Sequence, residues 1–212
     1  MGDGPGIVSS PESSHPSHPP HPPHPPRPPN PSNPPKIACV GSRQTPRPIL
    51  QWMEEMGAKI IRLGYRMASG NGLRADQAWA KGANEVDPRM VHLFLPWPKF
   101  EQEAIWDKNR VVIYSELPRK LQDHMEAIVR RVHPAPRNLV TSHYALHGRN
   151  IMVVKGALAV IGWQKPGHPG GTGMAYALAR HFEIPVFDVT TDEQREAAEI
   201  FLIMNSPGRR KR

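Results

Sequence analysis

Short apolar runs alternate along the chain with stretches in which apolar residues recur every three or four positions. The run 37–40 stops at a Gly-Ser pair, as a buried strand does when it enters a turn. The next segment places its apolar side chains on one face of a helix, at Ile49, Met53, Met56, Ile60 and Leu63. Further strands are predicted at 65–68, 90–95, 157–163 and 185–189, and further helices at 73–83, 117–132 and 174–182. This order predicts an α/β fold with a Rossmann-like, doubly wound parallel sheet.

Three other segments have less regular patterns. The run 111–114 is β-like, but the pattern does not decide whether it joins the main sheet. Residues 142–154 are ambiguous, because the run 151–154 by itself favours a strand. After the last strand, Thr191 is expected to cap a final helix whose inner face carries Ala197, Ile200, Phe201 and Met204.

The two ends of the chain differ in composition from its body. The first 36 residues hold 14 of the 26 prolines and 4 of the 11 histidines, with few large apolar side chains. We therefore expect a disordered tail at 1–35, one domain at 36–205 and a basic tail at 206–212. The period-three track 15–29 favours polyproline II, which would align His18, His21 and His24. A spacer is the simplest interpretation, with weak metal binding or a proline-reading partner as alternatives.

The formal charge of +8 is concentrated at the ends, since residues 37–208 hold 21 basic and 17 acidic side chains. This mildly basic body allows a polyanionic partner without requiring one. The lone Cys39 excludes an intramolecular disulfide, and its apolar surroundings predict a buried thiol. No apolar stretch approaches the roughly 20 residues of a membrane span, and no secretory leader is recognisable. We expect a cytoplasmic protein without membrane contact.

Glycine-rich loops follow three of the predicted strands, at 41–43, 69–72 and 167–173. In a parallel sheet these loops meet at the carboxyl edge, where open α/β sheets bind ligands. Glycine lets the backbone approach a ligand closely, and the N–H groups that begin the next helix attract anions. We therefore predict a site for a phosphate-bearing ligand, formed by Gly41, Ser42, Arg43, Ser69, Gly70, Asn71, Gly72, Gly170, Gly171, Thr172 and Gly173.

Four sequence blocks carry a family resemblance: IACVGSR, GYRMASGNGLRADQAWAKGA, HGRNIMVVKGALAVIGW and PGGTGMAYALARHFEIPVFDV. In this order they resemble the SLOG superfamily, and within it the DNA-processing protein A type (DprA/Smf) of recombination mediator. The likeness covers most of 37–189, apart from an unmatched insertion at about 96–136. It implies a Rossmann-like domain that binds single-stranded DNA or a nucleotide in DNA recombination, and it is compatible with a homodimer.

The resemblance also assigns roles to individual residues. Arg149 and Asn150 match an R-N pair that begins a helix, so both are expected to join the phosphate site, with Arg149 pointing to the carboxyl edge. Arg43 follows the Gly-Ser turn, where a guanidinium can hold a phosphate through two hydrogen bonds. The resemblance implies that Asp76 binds a sugar hydroxyl or fixes the glycine loop, and compensation of a helix dipole is the alternative.

Further contacts to a DNA strand are expected from Arg66 or Arg74 and from the basic run 209–212. Trp79 and Trp163 are candidates for stacking on a base. Core packing is the alternative for both, and it is favoured for Trp79.

Other functions remain open. The lonely-guy phosphoribohydrolases have a similar P-G-G-x-G loop followed by a catalytic acid, which this chain replaces with M-A-Y-A at 174–177. Asp76 or Glu85 could substitute for that acid in a nucleotide-processing enzyme, a hydrolase of the N-glycosidic bond. A nucleotide sensor is a further alternative. Another is a scaffold protein in which the proline-rich tail is functional and the domain binds no ligand. No cofactor is expected, and no metal either, because His168 lacks companion ligands at suitable spacing.

Overall fold

The computed structural model describes residues 34–168 and 170–207. Within them, one sheet is formed by the strands β1 (Lys36–Gly41), β2 (Arg66–Ser69), β3 (Val91–Leu95), β4 (Arg110–Ile113), β5 (Ala157–Trp163) and β6 (Val186–Asp188). The helices are α1 (Arg47–Arg62), α2 (Ala75–Val86), α3 (Arg119–Val132), α4 (Thr141–Val154), α5 (Gly170–His181) and α6 (Asp192–Met204). The predictions for the proline-rich tail and for the basic end at 209–212 lie outside the described residues.

All strand pairs of the sheet are parallel, and their order is β4-β3-β2-β1-β5-β6. The chain builds outward from β1 to β4 and then returns to place β5 on the other side of β1. A crevice therefore opens at the carboxyl edge between β1 and β5, where the strand order reverses. This sheet, with helices on both faces, confirms the predicted fold class.

Strand β4 belongs to this sheet, which the apolar pattern alone did not decide. It pairs in parallel with β3, from His92 opposite Arg110 to Leu95 opposite Ile113. As the edge strand, β4 has only one neighbour, and Arg110 and Val111 are accordingly exposed to solvent. The unmatched insertion thus contributes one strand of the main sheet.

The apolar core lies in two layers, one on each face of the sheet. Helices α1, α2 and α6 cover one face, with Trp79, Met53 and Leu202 fully buried among their contacts. Helices α3, α4 and α5 cover the other face, where Ile151 and Leu178 are buried. Within the described residues, no helix is long and apolar enough to cross a bilayer.

The first layer decides the roles of two residues named from the sequence. The predicted burial of Cys39 is confirmed, and burial raises the pKa of its thiol. The Trp79 indole N–H donates to the carbonyl of Val40 at 3.2 Å, and its ring packs edge-to-face on Trp52. Core packing, the favoured interpretation for Trp79, is confirmed.

Helix α4 resolves the ambiguous segment in favour of the helix that the resemblance implied. The β-branched residues 151–154 are helical because Ile151, Val153 and Val154 are buried in the second layer, and this packing outweighs their strand propensity. The expected start of the helix was wrong, since it begins at Thr141 and Arg149 lies in its third turn. At the C-terminus of α4, the Lys36 ammonium donates hydrogen bonds to the carbonyls of Met152 and Lys155.

Helix α5 differs from the prediction in where it starts, and helix α6 differs in which residues form its inner face. Helix α5 begins at Gly170, four residues before the predicted 174, so part of the glycine loop forms its first turn. Thr191 caps α6 as predicted, since its hydroxyl accepts from the Gln194 N–H at 3.3 Å. The predicted inner face of α6 was wrong in part: Ala198 and Leu202 are buried, whereas Ile200 and Met204 are exposed.

Candidate phosphate-binding cleft

A cleft of about 970 Å³ opens at the carboxyl edge beside the crevice between β1 and β5. It runs between the loop after β1, the start of α5 and the inner turns of α4. Ten of the thirteen residues predicted for the phosphate site line it: Gly41, Ser42, Arg43, Gly72, Arg149, Asn150, Gly170, Gly171, Thr172 and Gly173. The structure thus brings together residues from four separate segments of the chain.

The start of α5 forms one side of the cleft. The first N–H groups of a helix have no partner within the helix, so they can donate hydrogen bonds to an anion at that end. A Cβ built on Gly171 would meet no atom within 4 Å, and this part of the turn is therefore open to a ligand. The Asn150 side-chain amide donates to the carbonyl of Gly171 at 3.2 Å and holds the turn against α4.

Arg149 reaches from α4 to the loop after β2, where it meets Asp76 of α2. Its Nη1 lies 3.6 Å from Oδ2 of Asp76, and the two side chains are only 11% and 7% exposed. The same carboxylate oxygen accepts from the N–H of Gly72 at 2.9 Å. Asp76 therefore positions the guanidinium and fixes the glycine loop, which was one of the alternatives named from the sequence.

Burial acts on both members of this ion pair. It raises the pKa of Asp76, and the charge of Arg149 and the Gly72 N–H lower that pKa in part. Burial also lowers the pKa of Arg149, with Asp76 opposing the change and the nearby charge of Arg43 adding to it. Two guanidinium groups thus repel each other across the cleft, and an anion between them would relieve that repulsion.

Three of the predicted site residues, Ser69, Gly70 and Asn71, do not line the cleft. They lie behind Arg149, and both Ser69 and Asn71 are fully buried. A Cβ on Gly70 would lie 0.8 Å from Nη1 of Arg149, so only glycine leaves room for the guanidinium. The Asn71 side chain donates to the carbonyl of Glu101 at 2.9 Å. These residues therefore support the position of Arg149.

Several other residues named from the sequence lie away from the cleft. Arg66 begins β2 and so stands at the amino edge of the sheet, which makes its expected contact with DNA at the carboxyl edge wrong. Arg74 donates to the carbonyl of Thr45 at 3.0 Å and bridges two loops. Glu85 is exposed near the far end of α2, and Trp163 is buried in the core. None of the four lines the cleft.

The wall of the cleft formed by the end of α3 and by α4 was not predicted from the sequence. It carries His133 at the end of α3, and His143 and His147 on α4, while Lys165, His168 and Arg180 lie on the α5 side. Burial, then the charges of His133 and His143, lower the pKa of His147 to about 4. No motif marks this wall. The spacing of four between His143 and His147 could have indicated a shared face only once that segment was known to be helical.

The charges that face the cleft are mostly positive. Arg43, Arg149, Lys165 and Arg180 line it, whereas among the described lining residues Asp76 is the one carboxylate. Since Asp76 is paired with Arg149, the remaining cations dominate the local field. The cleft therefore suits an anionic ligand.

Comparisons with known proteins relate this architecture to two solved structures. No protein-family model matches the chain, and no curated protein matches it by sequence. A structure of DNA processing protein A from Helicobacter pylori, described for its single-stranded DNA binding mode, matches with a TM-score of 0.56 at 16% identity, over 84% of this chain and 80% of that one. The chain has the Rossmann-like fold of DNA processing protein A. The molybdenum cofactor carrier protein from Chlamydomonas reinhardtii matches with a TM-score of 0.50 at 17% identity, over 81% and 87% of the two chains.

Proposed function

We propose that this protein binds single-stranded DNA or a nucleotide, with a phosphate held in the cleft between the start of α5, Arg43 and Arg149. The observation that carries the proposal is the convergence of these three groups on one open, mostly cationic cleft. Each is suited to phosphate: the helix N-terminus through its N–H groups, and the guanidinium groups through paired hydrogen bonds.

DNA is the favoured ligand for two reasons. A protein of the same fold from Helicobacter pylori is described as binding single-stranded DNA. In this chain, Lys165 and Arg180 extend the positive surface beyond the first phosphate position, as a strand of several phosphates would require. A role in DNA processing or recombination, a cytoplasmic location and a homodimer belong to the same proposal and rest on the family resemblance.

Binding is proposed in preference to hydrolysis because of where the acids lie. Asp76 faces the cleft, but its carboxylate is engaged by Arg149 and by the N–H of Gly72. Glu85 is on the surface outside the cleft. A general acid or base must reach the proton that it transfers. Glu85 lies outside the cleft, and the Asp76 side chain is only 7% exposed and is paired with Arg149.

The test measures the affinity of a fluorescein-labelled oligo-dT for wild type, Arg43→Ala and a control, Arg62→Ala. Both arginines are exposed and both changes remove one charge, but Arg62 lies in the last turn of α1, away from the cleft. We expect Arg43→Ala to weaken binding about tenfold and to reduce the slope of log affinity against log salt by about 0.7, as the loss of one phosphate contact to a single strand does.

The control variant decides the interpretation. If Arg62→Ala weakens binding as much as Arg43→Ala, the effect is one of net charge and the cleft is not the site. Absence of oligonucleotide binding at low salt would exclude the DNA version of the proposal. A thermal shift with nucleoside monophosphates then tests the nucleotide version, since a ligand at 100 times its dissociation constant stabilises the fold by about 2.7 kcal/mol.

A further inference from the structure

A second depression, of about 570 Å³, adjoins the cleft at the carboxyl ends of β5 and β6. Gly173 and Arg180 of α5 line both, so the two are continuous over the same helix. The polar side chains of its lining come from three elements and two loops: Gln164, Tyr176, Arg180, Asp188, Thr190 and Gln194. None of these side chains belongs to the phosphate site predicted from the sequence.

One buried group of this lining, the Tyr176 hydroxyl, lacks a hydrogen-bond partner within the described residues. The nearest charged neighbour of this hydroxyl is the carboxylate of Asp188, which interacts with it electrostatically. Asp188 is half-buried, and its Oδ1 accepts from the N–H of Gln164 at 3.3 Å. Burial raises the pKa of Asp188, and burial followed by the charge of Asp188 raises the pKa of Tyr176. A ligand that donates hydrogen bonds here would give the Tyr176 hydroxyl a partner and would use the acceptor capacity that Asp188 has beyond the Gln164 N–H.

A ligand that reaches from the phosphate site into this depression would meet the carboxylate of Asp188, and this limits which bases can bind there. An ionised carboxylate only accepts hydrogen bonds, and it can accept two parallel ones. Guanine presents two adjacent N–H donors, at N1 and N2, on its Watson–Crick edge. Adenine and cytosine place a single amino group beside an acceptor nitrogen, which would face the second carboxylate oxygen and repel it. The guanine O6 beside this edge requires a donor, and the depression offers Arg180 and the glutamine amides.

We propose that this depression binds a guanine base whose phosphate occupies the cleft, with Asp188 accepting from the two N–H groups of the base. The inference rests on the proposed function, because the phosphate must first be held at the start of α5. Arg180, which lines both cavities, stands at the junction between phosphate and base. Asp188 would then select among nucleotides that the cleft itself does not distinguish.

The test compares the affinities of GMP, IMP and AMP for wild type and Asp188→Asn by isothermal titration calorimetry. Asparagine keeps one side-chain oxygen to accept from the Gln164 N–H. It replaces the second carboxylate oxygen with an NH2 donor, which cannot accept a hydrogen bond from guanine. Asp107→Asn is the matched control, since Asp107 is exposed and lies outside both cavities. We expect wild type and the control to bind GMP at least tenfold more tightly than AMP, with IMP between them because it lacks the 2-amino group. In Asp188→Asn the three affinities converge to within about threefold.

Each outcome has a distinct meaning. Equal affinities for GMP and AMP in the wild type, alongside normal oligo-dT binding, overturn the guanine pocket and leave the proposed function intact. A preference for GMP that persists in Asp188→Asn overturns the role of Asp188. If neither the nucleotides nor oligo-dT bind, the proposed function is wrong and the guanine pocket fails with it. An unchanged melting temperature of Asp188→Asn shows that a lost preference does not come from misfolding.

Discussion

Two glycines, one lining the cleft and one behind it, show how the same residue type serves opposite purposes. At Gly70 the space that a side chain would take is filled by Arg149, whose Nη1 lies 0.8 Å from the position of a Cβ. At Gly171 that space is empty for 4 Å around and faces the cleft. The first glycine therefore makes room for a protein group, and the second is expected to make room for a ligand.

A pair of alanine substitutions separates these two roles. Gly70→Ala must displace the Arg149 guanidinium from Asp76, so we expect a clear loss of stability and of oligonucleotide binding. Gly171→Ala lies in a helical turn without a clash, so its stability should be unchanged or higher by up to about 1 kcal/mol, while its binding is weakened. Urea unfolding and fluorescence anisotropy measure the two quantities. Equal loss of stability in both variants would contradict this assignment.

At the scale of elements, the ion pair between Asp76 and Arg149 connects α2 to α4 across the top of the sheet. The two residues belong to opposite layers of the core, and the loop after β2 lies between them. Because both side chains are buried, the pair is stable only while each charge has its partner. The cleft and the packing of the two layers are therefore coupled at this point.

A double-mutant cycle tests this coupling. Asp76→Ala leaves the buried guanidinium unpaired, and we expect it to lower the free energy of unfolding by about 3–5 kcal/mol. The further change Arg149→Met removes the unpaired charge and should restore part of that loss, although binding is not recovered. Urea denaturation of the four proteins gives the interaction energy. Strictly additive effects would mean that the two charges do not interact in the folded protein.

For the whole molecule, two half-buried histidines contribute to the dependence of stability on pH. Burial and neighbouring cations lower the pKa of His92 to about 4, and burial with His133, His143 and Arg149 lowers that of His147 to about 4. In the unfolded chain the pKa of histidine is about 6.5. Between these values the unfolded state binds more protons, so stability falls as the pH is lowered from about 6.5 towards 4.

The measurement is the melting temperature at pH 7, 6 and 5 for wild type and for His92→Gln with His147→Gln. We expect the wild type to lose stability across this range and the double variant to lose less of it. The variant His124→Gln, which changes an exposed histidine of α3, should follow the wild type. A double variant with the same pH dependence as the wild type would falsify the assignment to these two histidines.

Much of this architecture follows from local patterns and could be predicted from the amino-acid sequence. The strand at 157–163, the helix face at Met53 and Ile60 and the cap at Thr191 each depend on neighbouring residues along one element. The glycine loops at 41–43 and 167–173 could be placed at one edge because all parallel strands point the same way. Periodicity and turn chemistry are properties of short segments, so no knowledge of distant contacts was needed.

The remaining features depend on contacts between residues far apart in the chain, and these exist only in the folded molecule. The membership of β4 in the sheet is a pairing with β3, and the inner face of α6 depends on packing against α1 and β6. Arg149 meets Asp76 across the sheet, and Tyr176 meets Asp188 across two elements. The apolar and glycine patterns predict that a phosphate site lies at this edge. Which side chains face it, and which stand behind it, is settled only when the two helical layers close over the sheet.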